Sequence, residues 1–60
     1  MRRGDTVTYR DPLSKKEYLV TIMEPVRIMV GNVKVDEGHN VRDIVDGSHW
    51  TARRRDLREI

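Results

Sequence analysis

Apolar and polar residues alternate along most of this chain, which is the signature of half-buried strands. From Asp5 to Arg10, Val7 and Tyr9 fall on one side and Thr6, Thr8 and Arg10 on the other. Asp11-Pro12 opens a loop that the polar Ser14-Lys15-Lys16 continues. A second strand is predicted over Glu17 to Glu24, with Tyr18, Val20 and Ile22 on one face and Leu19, Thr21 and Met23 on the other. Pro25 cannot donate to a ladder and marks a strand end, an edge or a bulge. A third strand runs from Val26 to Val30, and Gly31-Asn32 then reads as a two-residue hairpin turn of type II′. That turn pairs Val30 with Val33, Met29 with Lys34, Ile28 with Val35, and Arg27 with Asp36, so that Arg27 and Asp36 make an attractive cross-strand pair.

Beyond the hairpin, Glu37-Gly38-His39-Asn40 reads as a loop and Val41 to Val45 as a further strand. Asp46-Gly47 is a second turn signal. A two-residue turn there puts Val41, Val45, Trp50 and Ala52 on one face; a four-residue loop through His49 is the competing register. Ser48 to Arg54 is the last strand. Asp56 to Ile60 is too short for a free helix and is expected to form one helical or 3-10 turn that lays Leu57 or Ile60 over the end of the core.

Composition agrees with the pattern. Val, Ile and Thr number 16, whereas Ala occurs once and Leu three times, and β-branched side chains favour the pleat. Sixty residues make one domain, residues 1–60. There is no cysteine, hence no disulfide framework. No apolar run approaches the roughly 18 residues of a spanning helix, and Met1-Arg2-Arg3 leads into Gly4-Asp5-Thr6 rather than an apolar leader. The expected compartment is cytoplasmic, with no membrane partner. A chain this short is marginally stable alone, so self-association is a further expectation, with Leu19, Met23 and Met29 available off the main apolar face.

Short strands joined by tight turns suggest a small barrel. The opening Arg3-Gly4-Asp5-Thr6-Val7-Thr8-Tyr9 and the closing Trp50-Thr51-Ala52-Arg53-Arg54-Arg55-Asp56-Leu57 resemble the first and last strands of Src-homology-3-like barrels, including Tudor-like and KOW-type modules. The resemblance implies an all-β fold, one barrel of five or six short antiparallel strands, with the first and last strands side by side. It supports fold more than function.

That adjacency would merge the two termini into one basic region. Residues 1–10 and 53–60 hold seven arginines against three carboxylates, a net +4, while the middle of the chain carries −2. Nine of the twelve cations are Arg, whose planar fork suits phosphate. The leading functional reading is therefore a non-enzymatic module that contacts DNA or RNA through Arg2, Arg3, Arg10, Arg53, Arg55 and Arg58. Alternation along the last strand would send Arg53 and Arg55 to solvent and Arg54 to the other face with Trp50 and Ala52. Trp50, beside the arginines, is either a stacking platform or the core anchor of a domain poor in large side chains.

The second reading is a protein-interaction module or small regulator docked on a larger protein. The third is an oligomeric barrel enzyme resembling plasmid-type dihydrofolate reductase. No nucleophile, paired carboxylates or glycine-rich phosphate loop points to catalysis, no cofactor is implied, and His39 and His49 have no metal-ligand spacing.

Overall fold

In the computed structural model all 60 residues are described. The β-branched, alternating segments form five strands: β1 (Thr6–Arg10), β2 (Glu17–Val30), β3 (Val33–Asp43), β4 (His49–Arg53) and β5 (Leu57–Glu59). A 3-10 turn, Arg54–Asp56, joins β4 to β5. The strands make one antiparallel sheet in the order β4-β3-β2-β1-β5. No helix is long and apolar enough to cross a membrane.

Every strand contributes to a single core of Val7, Val20, Ile22, Val41, Ala52 and Leu57, with Met1, Tyr9 and Trp50 packed against it. Val20, Ile22 and Val41 are fully buried although no second layer covers the sheet. The sheet must therefore curl on itself, so that the faces of its own strands cover one another. Burying each of these side chains stabilises the fold by roughly 1.5–3 kcal/mol. Alternation explains the set: Val7 pairs with Val20 and Val41 with Trp50, each pair pointing to one face.

The five strands divide the chain differently from the expected ones. The segments predicted on either side of Pro25 are one strand, β2, and Pro25 sits at a break in its register with β3 between Ile22 and Pro25. The segment Glu37 to Asn40 is not a loop. It lies within β3, because Gly38 lets the β4 backbone approach closely: a Cβ there would stand 2.2 Å from the Ala52 carbonyl oxygen. The strand predicted to reach Val45 stops at Asp43, and the last strand stops at Arg53.

Five residues, Ile44 to Ser48, link β3 to β4, with the Asp43 N–H donating to the Ser48 carbonyl at 2.8 Å; Val41 pairs with Trp50, so neither the two-residue turn nor the four-residue loop through His49 forms. Asp43, 7% exposed, accepts from the Val45 and Asp46 N–H groups at 2.7 and 3.3 Å. This tie lifts Val45 off the core face, where it is 88% exposed.

At the other hairpin Gly31 has φ +60 and Asn32 does not share it, the pattern of a type II′ turn. Val30 pairs with Val33 and Met29 with Lys34 as expected. Val35 then bulges, so that Ile28 faces Asp36 and Arg27 faces Glu37 instead of Val35 and Asp36. The C-terminal residues add the short strand β5 after the 3-10 turn. Leu57 reaches the core and Ile60 does not.

Candidate functional site

The antiparallel pairing of β1 with β5 sets Val7 against Glu59, Thr8 against Arg58 and Tyr9 against Leu57. Arg10 and Arg58 therefore emerge close together on the outer side of the two strands. The loop after β1 curls back, with the Asp11 N–H donating to the Lys16 carbonyl and the Lys15 N–H to the Asp11 carbonyl, each at 2.9 Å. Lys15 holds φ +64, a conformation side chains rarely adopt. These elements and the 3-10 turn enclose a groove of about 210 Å³ lined by Arg10, Pro12, Lys15, Arg55, Asp56 and Arg58. Four cations thus share one concave surface with one carboxylate, and Arg53 Nε donates to that carboxylate at 3.1 Å.

The expected arginines do not act as one set. Arg10 and Arg58 have no carboxylate partner, and both are exposed. Arg55 lines the same groove, but its Nη2 donates to Asp36 Oδ2 at 2.6 Å. That bond is the chief reason the Asp36 carboxyl lies below its ordinary range, with the Glu37 N–H adding to it. Arg53 is half-buried and held by Asp56. The alternation expected of Arg53, Arg54 and Arg55 fails because the chain leaves the pleat at Arg54 and enters the 3-10 turn. Arg54 instead lines a separate groove with Arg27, Glu37 and His39. Arg2 and Arg3 line none of the surface grooves, and Arg3 lies 3.8 Å from Glu24. They precede β1, beside the far end of β5, where the Met1 amine stands 3.8 Å from Glu59.

Trp50 is half-buried against the core, and its Nε1 is buried with no partner. Its ring meets Tyr9 edge-on at 5.4 Å and Tyr18 at 6.2 Å, and the tyrosine rings are 6.2 Å apart. All three aromatic residues of the chain thus gather at one place. They line a groove with Asp11, Asp43, Asp46 and Ser48, and Arg42 lines the neighbouring groove that shares Asp43 and Asp46.

Sequence reasoning missed Lys15 in the basic groove and the aromatic cluster. A signal for the cluster was present: pairing Arg10 with Glu17 across the first loop, as observed, sets Tyr9 directly opposite Tyr18. His39 and His49 lie on different strands, and no three His, Asp or Glu side chains converge as metal ligands. Comparison with protein-family models, curated proteins and solved structures gives no match for this chain.

Proposed function

We propose that this domain is a small non-enzymatic module of the Src-homology-3-like barrel type that binds nucleic acid through the basic groove between β1, β5 and the first loop. The barrel reading is supported by the curled sheet and by the side-by-side first and last strands. The observation that carries the functional reading is the convergence of Arg10, Lys15, Arg55 and Arg58 on one concave surface whose lone carboxylate, Asp56, is engaged by Arg53. Such a surface neutralises phosphates whatever their sequence, and binding releases counterions. Arg10, Lys15 and Arg58 are the principal contacts, with Arg55 bridging to the fold through Asp36. Trp50 stands outside this surface, since Asp11, Asp43 and Asp46 beside it would repel a phosphate chain.

The experiment is fluorescence anisotropy with labelled single-stranded DNA, duplex DNA and RNA from about 50 to about 200 mM salt. Affinity falls steeply over that range. Arg10→Ala with Arg58→Ala weakens binding about equally across sequences and lowers the salt slope by about two. Absence of binding at low salt, or a double variant that binds like the parent, overturns the reading. The carboxylate-rimmed aromatic groove favours a second reading, docking to a protein, and it shares no lining residue with the basic groove.

A further inference from the structure

We infer that the groove at the base of the β2–β3 hairpin, where Arg27 and Arg54 converge, binds an aliphatic phosphate monoester. The groove has a volume of about 340 Å³. It shares no lining residue with the groove of Arg10, Lys15, Arg55 and Arg58, so it stands apart from the nucleic-acid reading. Strand register explains why its residues meet. Pro25 pairs with His39 and Arg27 with Glu37, so these four side chains project from one face of the ladder. On the other side of β3, Gly38 pairs with Arg53. The close approach of β4 at Gly38 brings the next residue, Arg54, into the same groove as the 3-10 turn begins.

Neither guanidinium has a partner. Arg27 and Arg54 form no ion pair and no side-chain hydrogen bond. Glu37 is the only carboxylate in the groove, and it bonds Lys34 Nζ instead. That bond is the chief reason the Glu37 carboxyl lies below its ordinary range, and Arg54 and Arg27 add to it, so the field of both guanidiniums reaches across the groove. His39 supplies a further polar group. Its Nδ1 is buried with no partner, so the neutral ring carries its proton on Nε2, the nitrogen left for a ligand. Burial first, then the N-terminal amine and Arg54, keep the ring neutral at physiological pH.

The chemistry of the walls selects the ligand. Two planar forks from separate elements call for an anion with more than one pair of acceptors. A terminal phosphate offers three free oxygens and close to two charges, enough for both forks. A diester link offers two free oxygens and one charge, and a carboxylate the same, enough for one fork. The volume is at the small end of ligand sites, so the groove takes the phosphate together with the first carbons of its carrier, against Pro25 and Val26. No tyrosine or tryptophan lines it, so a nucleobase finds no broad ring to stack on. The carrier is therefore aliphatic, and a phosphorylated serine side chain and a small polyol phosphate share that chemistry.

The two histidines make the test direct. His39 lines this groove, whereas His49 lines another with Trp50, so the His49 ring resonances are the internal control. The full chain is titrated at constant ionic strength and about pH 7.5, where a monoester is dianionic. The probes are acetyl-phosphoserine-amide, glycerol phosphate, dimethyl phosphate and adenosine monophosphate. Both aliphatic monoesters move the His39 signals saturably and leave those of His49 in place; the tighter of the two assigns the group to a partner protein or to a small molecule. Dimethyl phosphate binds at least about tenfold more weakly, through loss of charge-assisted hydrogen bonds. Arg27→Ala with Arg54→Ala removes the response, and the fold persists because both side chains are exposed. Glu37→Gln tightens binding by removing the only anion of the groove. Arg10→Ala with Arg58→Ala leaves this binding unchanged, so its failure and that of the nucleic-acid reading are seen separately. No saturable change at His39, equal binding of dimethyl phosphate, or tighter binding of adenosine monophosphate overturns the assignment.

Discussion

Gly38 on β3 and Ala52 on β4 stand so close that a Cβ on Gly38 would lie 2.2 Å from the Ala52 carbonyl oxygen. The obstacle is backbone, which cannot swing aside as a side chain can. Gly38→Ala is therefore expected to force β4 away from β3 and to cost about 3 kcal/mol, a large part of what a domain this small holds in reserve. Urea denaturation measures it. An alanine variant as stable as the parent would mean that the two strands are further apart.

Gly31 presents the opposite situation. No atom lies within 4 Å of a Cβ built there, but φ is +60. Gly31→Val is expected to destabilise by about 1–2 kcal/mol from backbone conformation alone, and Gly31→Asn by less, because Asn tolerates the left-handed region. Thermal melts of the two variants rank them; equal melting temperatures would place the turn elsewhere.

Asp43 is nearly buried and ties down the Val45 and Asp46 N–H groups. Asp43→Ala leaves both donors without their acceptor and is expected to cost about 1–3 kcal/mol. Asp43→Asn keeps Oδ1 and costs much less. The comparison is made by denaturant titration, and equal losses would show that charge rather than the acceptor matters.

His39 sets the pH dependence near neutrality. Burial first, then the N-terminal amine and Arg54, hold it below its ordinary 6.5, while Glu37 opposes them. Protonation thus favours the unfolded chain. The stability His39 contributes is complete above pH 6.5 and declines as the pH falls from there through the lower folded value. His39→Gln should flatten stability over that window. Asp36, held low by Arg55, makes its contribution above its ordinary 3.8 and loses it only in acid. A parent whose stability is level from pH 7 to 5 would contradict the role given to His39.

Local chemistry made part of this structure readable in advance. Val7, Val20, Ile22 and Val41 follow from alternation, and Gly31-Asn32 fixes its own turn and the two nearest pairs. The bulge at Val35 does not follow, because Val30, Val33 and Val35 are all exposed and no buried face there enforces a register. Asp36 is instead held by Arg55, 19 residues away. Glu37 to Asn40 reads as a loop because it is polar, and becomes strand because Gly38 is needed where β4 passes. The basic site was legible as a composition but not as a set: the 3-10 turn redistributes Arg53, Arg54 and Arg55 among three surroundings. Lys15 joins through a loop conformation that no periodicity encodes.

The distal part of the β2–β3 hairpin, from Ile28 to Asp36, contributes nothing to the core. Its ladder is held by backbone bonds that water can replace. Amide hydrogen exchange should therefore divide the domain into two regimes. Protons on Val20, Ile22 and Val41 should escape only when the whole domain opens, and follow its global stability. Those around the Gly31 turn should escape through local fraying that leaves the core intact. The outer hairpin from Met29 to Val35 is thus a separate small opening unit, and the Arg55–Asp36 bond, which ties β3 to the basic groove, marks where it ends.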